Sequence, residues 1–403
     1  MLTILNIILI GGTLLLLIPF AVFCLECTAA LLPWRPKTRL DDAKPARVAV
    51  LLPAHNESSV IARTLDVLLP TLGPDDRAVV IADNCSDDTA EIARSKGAIA
   101  CERTNLEQRG KGYALDLGVQ HLKSDPPDVV MVLDADCNVD PATVRTIGQL
   151  AHNTGRPVQS LNLGELDDRP DSMFVASSLG NYFINYVRPL GLKKIGLSYR
   201  LLGTGMALPW EIIKDAPLAT GHIVEDTRLG VDLAIAGHLP IFCPDVRVLS
   251  RLPQQKSSFV SQRTRWEHGH MQAAFSQVPR LIKAAFLQRS LSLFWLAMDI
   301  AVPPFSLMIF LWMLATMTTA VAALLGASII PFAALAITGL CLIGLIGFNW
   351  FIHCRHAIPL KALVGVPKYV FKKLPIYFSF LVKRQQEWVR TDRETDSKQT
   401  MAQ

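Results

Sequence analysis

Asp, Glu, Lys and Arg are missing from residues 1–25 and again from residues 300–354. Uncharged stretches of this length match bilayer crossings and exclude an ordinary water-soluble enzyme. Charged residues nevertheless make up 19% of the 403-residue chain, which excludes a protein lying wholly within the bilayer. A membrane-anchored protein with a large polar domain remains. The first apolar run has no Lys or Arg ahead of it, so it reads as a retained anchor rather than a secretory signal. No G-x-G-x-x-G follows the first strand-like run, which argues against a dinucleotide-dependent oxidoreductase. No internal repeats or low-complexity linkers appear. The eight cysteines are scattered through segments expected to face the cytoplasm or the membrane and predict no structural disulfides. Cys24 and Cys27 form a C-x-x-C at the end of an apolar helix, where packing is the expected role.

Arg35, Lys37 and Arg39 follow the first run, which by the positive-inside rule starts the next segment in the cytoplasm. The second run, opened early by Leu291 and closed by His353, would extend about 90 Å as one helix and must fold back. Arg280, Lys283 and Arg289 precede it and Lys361, Lys368, Lys372 and Lys373 follow it, so the number of crossings is expected to be even. The expected organisation is a transmembrane anchor at 1–34, a cytoplasmic catalytic domain at 45–277 and an interfacial helix at 278–290. Two crossings follow within 291–353, near 291–318 and 326–353, then a basic amphipathic interfacial segment at 354–390 and a disordered tail at 391–403. The net charge of +5 gathers beside the spans, so it points to membrane lipids and away from nucleic acid.

From Pro45 to about Gln277, short β-branched runs alternate with helical ones, the signature of a parallel sheet covered by helices. Strands are expected at 47–53, 78–82, 98–101, 129–133 and 158–163, and helices at 58–69, 87–96, 113–123 and 141–152. In such sheets ligands bind beyond the carboxyl ends of the strands. Three of those ends are polar: Ala54-His55-Asn56-Glu57, Asp83-Asn84-Cys85-Ser86-Asp87-Asp88 and Asp134-Ala135-Asp136.

Asp134 and Asp136, one residue apart at a strand end, can face one hard cation whose remaining shell is water and diphosphate oxygens. Alone, D-x-D is equally a turn or a helix cap. Val224-Glu225-Asp226 opens a helical run at 228–236, where amides at a helix start can keep a carboxylate ionised for use as a base; capping is the bland alternative. In Gln262-Arg263-Thr264-Arg265-Trp266, helical spacing puts an amide beside a flat ring on which a sugar can stack, and Arg265 offers a fork for phosphate oxygens. The same pattern suits an interfacial helix with a snorkelling Arg. His268 and His270, without a third ligand nearby, read as surface groups. Asp299 reads as an interfacial acid or as part of an acceptor path.

In this order the pieces resemble family 2 glycosyltransferases of the membrane-bound, cellulose-, chitin- and hyaluronan-synthase-like kind. The family pattern is P-x-x-N-E, a nucleotide-binding Asp, D-x-D, [TV]-E-D and Q-x-x-R-W. It is matched by Pro53-Ala54-His55-Asn56-Glu57, Asp83, Asp134-Ala135-Asp136, Val224-Glu225-Asp226 and Gln262-Arg263-Thr264-Arg265-Trp266. The resemblance implies an α/β GT-A fold, Rossmann-like and nucleotide-sugar-binding, and an inverting transfer from a UDP-sugar with Mg²⁺ or Mn²⁺ as cofactor. It further implies that Glu57 and Asp83 contact the nucleoside, Asp134 and Asp136 the diphosphate and metal, and that Asp226 is the base. Gln262, Arg265 and Trp266 would border the leaving group and acceptor. Lys111, within Arg109-Gly110-Lys111-Gly112, falls near the diphosphate, while Gly203-Thr204-Gly205 and Glu225 fall on the acceptor side. Asn84 departs from the common D-D-x-S-x-D, and the few membrane helices depart from large cellulose synthases.

Three functions stay open. Extension of a surface or extracellular polysaccharide in the bacterial-type inner membrane comes first, with a nucleotide-sugar donor, a saccharide acceptor and polysaccharide-export proteins as partners. Single addition to a lipid or lipid-linked acceptor is the second. A catalytically silent membrane scaffold is the third, and the concentrated acidic motifs argue against it.

Overall fold

The computed structural model describes residues 2–33, 45–165, 172–221, 224–251 and 256–382. The basic flank at Arg35, Lys37 and Arg39 and the tail after Arg390 lie outside the described residues. Two compact units are found. One comprises Met1–Trp34, Leu166–Leu197 and His270–Lys383, the other Arg35–Glu165, Ser198–Gly269 and Arg384–Gln403.

The first unit is helical. It contains α1 (Leu2–Ala30), and the second unit then supplies α2 (Ile61–Leu68), α3 (Thr89–Ser95), α4 (Lys111–Leu122) and α5 (Thr143–Thr154). In the first unit, α6 (Ser172–Tyr182) runs through a wide turn at Phe183–Val187 into α7 (Arg188–Lys194). The short α8 (Trp210–Ile213) and α9 (Glu225–Ile235) return to the second unit, and the long α10 (Lys256–Gln288) follows. Then come α11 (Leu291–Ala301), α12 (Phe305–Leu324), α13 (Ile330–Asn349) and α14 (Lys361–Val382).

Among the described residues three helices are long and apolar enough to cross a membrane, Leu2–Ala30, Phe305–Leu324 and Ile330–Cys354. The crossing expected near 291–318 is corrected: the chain breaks between α11 and α12 at Val302-Pro303-Pro304, where proline lacks an N–H and disfavours helix in the residue before it. The helix expected at 278–290 is the end of α10, which runs on through Pro279. Asp299, read as an interfacial acid or as part of an acceptor path, is fully buried, and Arg188 bonds both it, at 2.7 Å, and Glu26, at 2.5 Å. Cys27 packs in the apolar cluster of this unit with Phe20, Phe23 and Phe305.

The second unit holds an eight-stranded sheet with strands β1 (Val48–Ala54), β2 (Arg77–Asp83), β3 (Ile99–Arg103), β4 (Val129–Val132), β5 (Cys137–Val139), β6 (Val158–Gly164), β7 (Met206–Pro209) and β8 (Ile241–Ser250). Their spatial order is β3-β2-β1-β4-β7-β6-β8-β5. Residues of β1 alternate between two cores: Val50 and Leu52 join Ile61, Leu65 and Ile147 on one face, while Leu51 joins Leu115, Val119 and Leu229 on the other. This is the period-2 geometry of a strand buried on both faces, each fully buried aliphatic side chain contributing about 1.5–3 kcal/mol.

The expected parallel sheet is corrected to a mixed one. The β3-β2-β1-β4 half is parallel, but β7 runs antiparallel to β4 and β6, and β5 antiparallel to β8. β7 and β5 are too short to show a period. β8 is broken in sequence by Pro244 and Asp245, which a register shift beside Ser160 and Leu161 accommodates.

Candidate active site

β1 and β2 end side by side, so the loops after them share hydrogen bonds. Asn56 and Asn84 both take positive φ, 55° and 53°, a conformation Asn tolerates because its side chain bonds locally. The Asn56 side-chain Oδ1 accepts from the Ser86 N–H at 2.7 Å, and the Asn84 Oδ1 from the Asn105 N–H at 2.7 Å. Glu57 N–H donates to Thr89 Oγ1 at 2.9 Å, and His55 Nδ1 to the Asp83 carbonyl at 2.7 Å. Asp83 itself is 7% exposed, and its carboxylate bonds Arg103 at 2.7 Å. Arg103 was not among the expected site residues. It stands opposite Asp83 in the parallel β2–β3 register, a pairing that only the sheet creates.

β4 leads into Asp134-Ala135-Asp136, and the turn is held from three sides. Lys111, at the start of α4, bonds the Asp134 carboxylate and the Gly203 carbonyl, the latter at 2.7 Å. The Asp134 N–H donates to Thr204 Oγ1 at 3.0 Å, and that hydroxyl lies 3.6 Å from Cys137 Sγ. Cys137 Sγ lies 3.3 Å from Ser250 Oγ, which donates to Asn162 at 3.0 Å. Thr204, 3% exposed, thus turns its side chain to the D-x-D. One donor atom each from Asp134, Asp136 and Cys137 lies within 4.8 Å of the others. Burial and the two aspartates push the Cys137 thiol well up, so it stays protonated, and the two carboxylates are the hard donors that suit Mg²⁺ or Mn²⁺. The residues present fit a divalent ion.

Glu225 and Asp226 open α9 and line a pocket together with Met206, Leu218 and Gly112. Gly112 has no room for a side chain: a Cβ there would run into the carbonyls of Leu218 and Thr220. Gly203 takes φ of +80°, and a Cβ on it would lie 3.0 Å from Asp226 Oδ2. Asp226 Oδ1 accepts the Thr227 N–H at 2.7 Å. Desolvation raises the pKa of Asp226, and Lys111 partly offsets this. Desolvation and then Asp226 raise that of Glu225. Burial alone would lower the Lys111 pKa, but Asp134, with Glu225 and Asp226, outweighs it and raises it. Lys111 is thus the positive charge common to the three carboxylates.

Gln262, Arg265 and Trp266 stand on α10. Trp266 is 39% exposed, and the guanidinium over its ring, at 4.8 Å, is that of Arg263. His268, expected at the surface, is 2% exposed, and His270 bonds the Val302 carbonyl at 2.9 Å. Arg263 and Cys137 went unnoticed in the sequence because they lie between or beside motif positions.

A family model described as glycosyltransferase like family 2 matches residues 45–269, more than half of the chain. The chain is 27% identical over 270 residues to the probable glycosyltransferase YdaM of Bacillus subtilis, covering 62% of this chain and 61% of the relative. It is 26% identical over 232 residues to the poly-beta-1,6-N-acetyl-D-glucosamine synthase of Staphylococcus epidermidis, covering 55% of this chain and 54% of that one. The alignments thus span about half to three fifths of these curated relatives. Among solved structures, the mannosyltransferase PcManGT from Pyrobaculum calidifontis, in complex with GDP-Man and Mn²⁺, matches with a TM-score of 0.54 at 18% identity. That match covers 93% of this chain and 100% of the other, and it identifies the fold as GT-A-like. By the extent of the family match, with its acidic strand ends on a GT-A-like sheet, this chain belongs to the glycosyltransferase like family 2.

Proposed function

We propose that the protein transfers a sugar from a nucleotide-sugar donor, a UDP-sugar by preference, to a growing polysaccharide at the cytoplasmic face of a bacterial-type inner membrane, with inversion. The observation that carries this reading is that Lys111 bonds both the Asp134 carboxylate and the Gly203 carbonyl, while Asp226 Oδ2 lies against the same glycine. Mg²⁺ or Mn²⁺, when bound, supplies the positive charge that stabilises a diphosphate leaving group. Asp134 and Asp136 would hold that ion, and Lys111 adds a fixed cation beside them. Glu57 and Asp83 receive the nucleoside. Asp226, oriented through Oδ1 by the Thr227 N–H, keeps Oδ2 toward Gly203 and takes the proton of the acceptor hydroxyl there. Its raised pKa strengthens it as a base. Gln262, Arg265 and Trp266 border the leaving group and the acceptor, whose other side is Gly203-Thr204-Gly205 and Glu225.

The small set of helices able to cross a membrane, three among the described residues, favours a second reading, single addition to a lipid-linked acceptor. Purified protein supplied with Mn²⁺, membranes and a panel of nucleotide sugars tests both. Release of nucleoside diphosphate that stops in excess chelator is expected, and mass spectrometry of the product separates a ladder from a single adduct. No release from any donor would sink the transferase reading.

A further inference from the structure

Arg263 stands between Gln262 and Arg265 at a place the Q-x-x-R-W pattern leaves unspecified, yet it is only 8% exposed. Its guanidinium lies 4.8 Å from the centre of the Trp266 ring and 5.3 Å from that of Phe259. The spacing of four and three residues along α10 puts both rings on the face that Arg263 shares, against its guanidinium. Its Nε and Nη2 are both buried without a hydrogen-bond partner, and Arg263 is the one cation with such donors among the described residues. Those two N–H groups lie on one edge of the guanidinium and point the same way, the edge that matches two oxygens of a phosphate group. One residue earlier, Gln262 Oε1 is a buried acceptor that also lacks a partner. A buried polar group left unmatched is destabilising, so donors aligned in this way and left unmatched mark the place of an absent acceptor.

We propose that Arg263 is a phosphate-binding residue in its own right, its Nε–H and Nη2–H edge receiving two oxygens of one phosphate while Trp266 and Phe259 lie against its guanidinium. The phosphate comes either from the donor diphosphate or from a lipid-linked acceptor. That choice of source rests on the transferase reading, whereas the receiving edge does not.

The test uses the full-length chain in detergent, comparing wild type with Arg263→Gln, which keeps length without charge, and Arg263→Lys, which keeps charge without the fork. Calorimetric titration with inorganic pyrophosphate plus Mn²⁺, and separately with a short-chain isoprenyl monophosphate, reads binding, and thermal melting with and without each probe reads folding. Arg263→Gln is expected to weaken one probe about tenfold to a hundredfold and to abolish that probe's stabilising shift, with Arg263→Lys between the two. Without probe, the Gln variant should melt no lower than wild type, because an unpaired buried cation has been removed. Loss confined to pyrophosphate assigns the donor, and loss confined to the isoprenyl phosphate assigns the acceptor. Equal affinity of wild type and both variants for both probes, or no binding of either probe by wild type, would overturn the proposal and leave Arg263 as a packing partner of Trp266. Pyrophosphate carries neither base nor sugar, so a protein that binds it through Arg263 yet transfers no sugar retains this inference and loses the transferase reading.

Discussion

The backbone N–H of Asp134 donates to the side-chain hydroxyl of Thr204 across 3.0 Å, so the acidic turn after β4 is aimed by a loop 70 residues further along the chain. Thr204→Val keeps the shape and removes the acceptor, leaving a partly buried N–H unmatched, for which about 1–3 kcal/mol is the upper bound set by a fully buried group. The Mn²⁺ concentration for half-maximal turnover should rise several-fold while donor KM at saturating metal changes little. An unaltered metal requirement would detach Thr204 from the carboxylates.

Asp226→Asn should lower transfer by about 10² to 10⁴ while nucleotide-sugar binding, followed by calorimetry, is kept. The raised pKa sets the pH behaviour. Because the base must be ionised, wild-type kcat should fall on acidification through a value above the ordinary aspartate range. For stability the sign is opposite: between the unfolded and folded pKa values the native state holds more protons, so ionising Glu225 and Asp226 destabilises it as pH rises. The Asn variant should therefore melt at or above the wild-type temperature at neutral pH. An inactive variant that melts lower would indicate a structural defect instead.

Gly112→Ala should damage the site without touching a charged group. Its methyl would meet the Leu218 and Thr220 carbonyls, which are backbone atoms, so the 218–220 segment must move away from α4. A loss of about 1–3 kcal/mol is expected, together with a drop in activity at permissive temperature. Unchanged melting and activity would show that the segment yields freely.

In the helical unit, Arg188→Met should be severely destabilising, by about 3–5 kcal/mol, because Glu26 and Asp299 would face each other without their cation. Adding Glu26→Gln and Asp299→Asn to it should restore much of the melting temperature, since no charge is then left buried. Failure of that rescue would mean that Arg188 acts through packing.

The strands β1, β2, β3, β4 and β6 and the helices α2 to α5 lie within a few residues of where hydrophobic periodicity places them, because each carries its own apolar repeat over at least a full element. Short elements do not. Met206–Pro209 has four residues and Cys137–Val139 three, too few for a pattern, and they exist because β4 and β8 offer open edges to pair with. The membrane helices follow the same logic, as the run without charge is plain in the sequence but the point where its first long helix begins is set by Pro303 and Pro304.

Composition and the residues at element ends, local properties both, pointed to an α/β domain attached to apolar helices and singled out Asp134, Asp136 and Asp226 as candidates for its chemistry. The partners of those residues were not readable. Arg103 on Asp83, Lys111 between Asp134 and Gly203, Thr204 behind the acidic turn and Arg188 between two acids all join residues at least 20 positions apart. Sequence spacing carries no information at that range, because side chains so far apart meet only when strand register and helix packing bring their backbones together. Burial then decides which charges must pair and which carboxylates are held above their ordinary pKa.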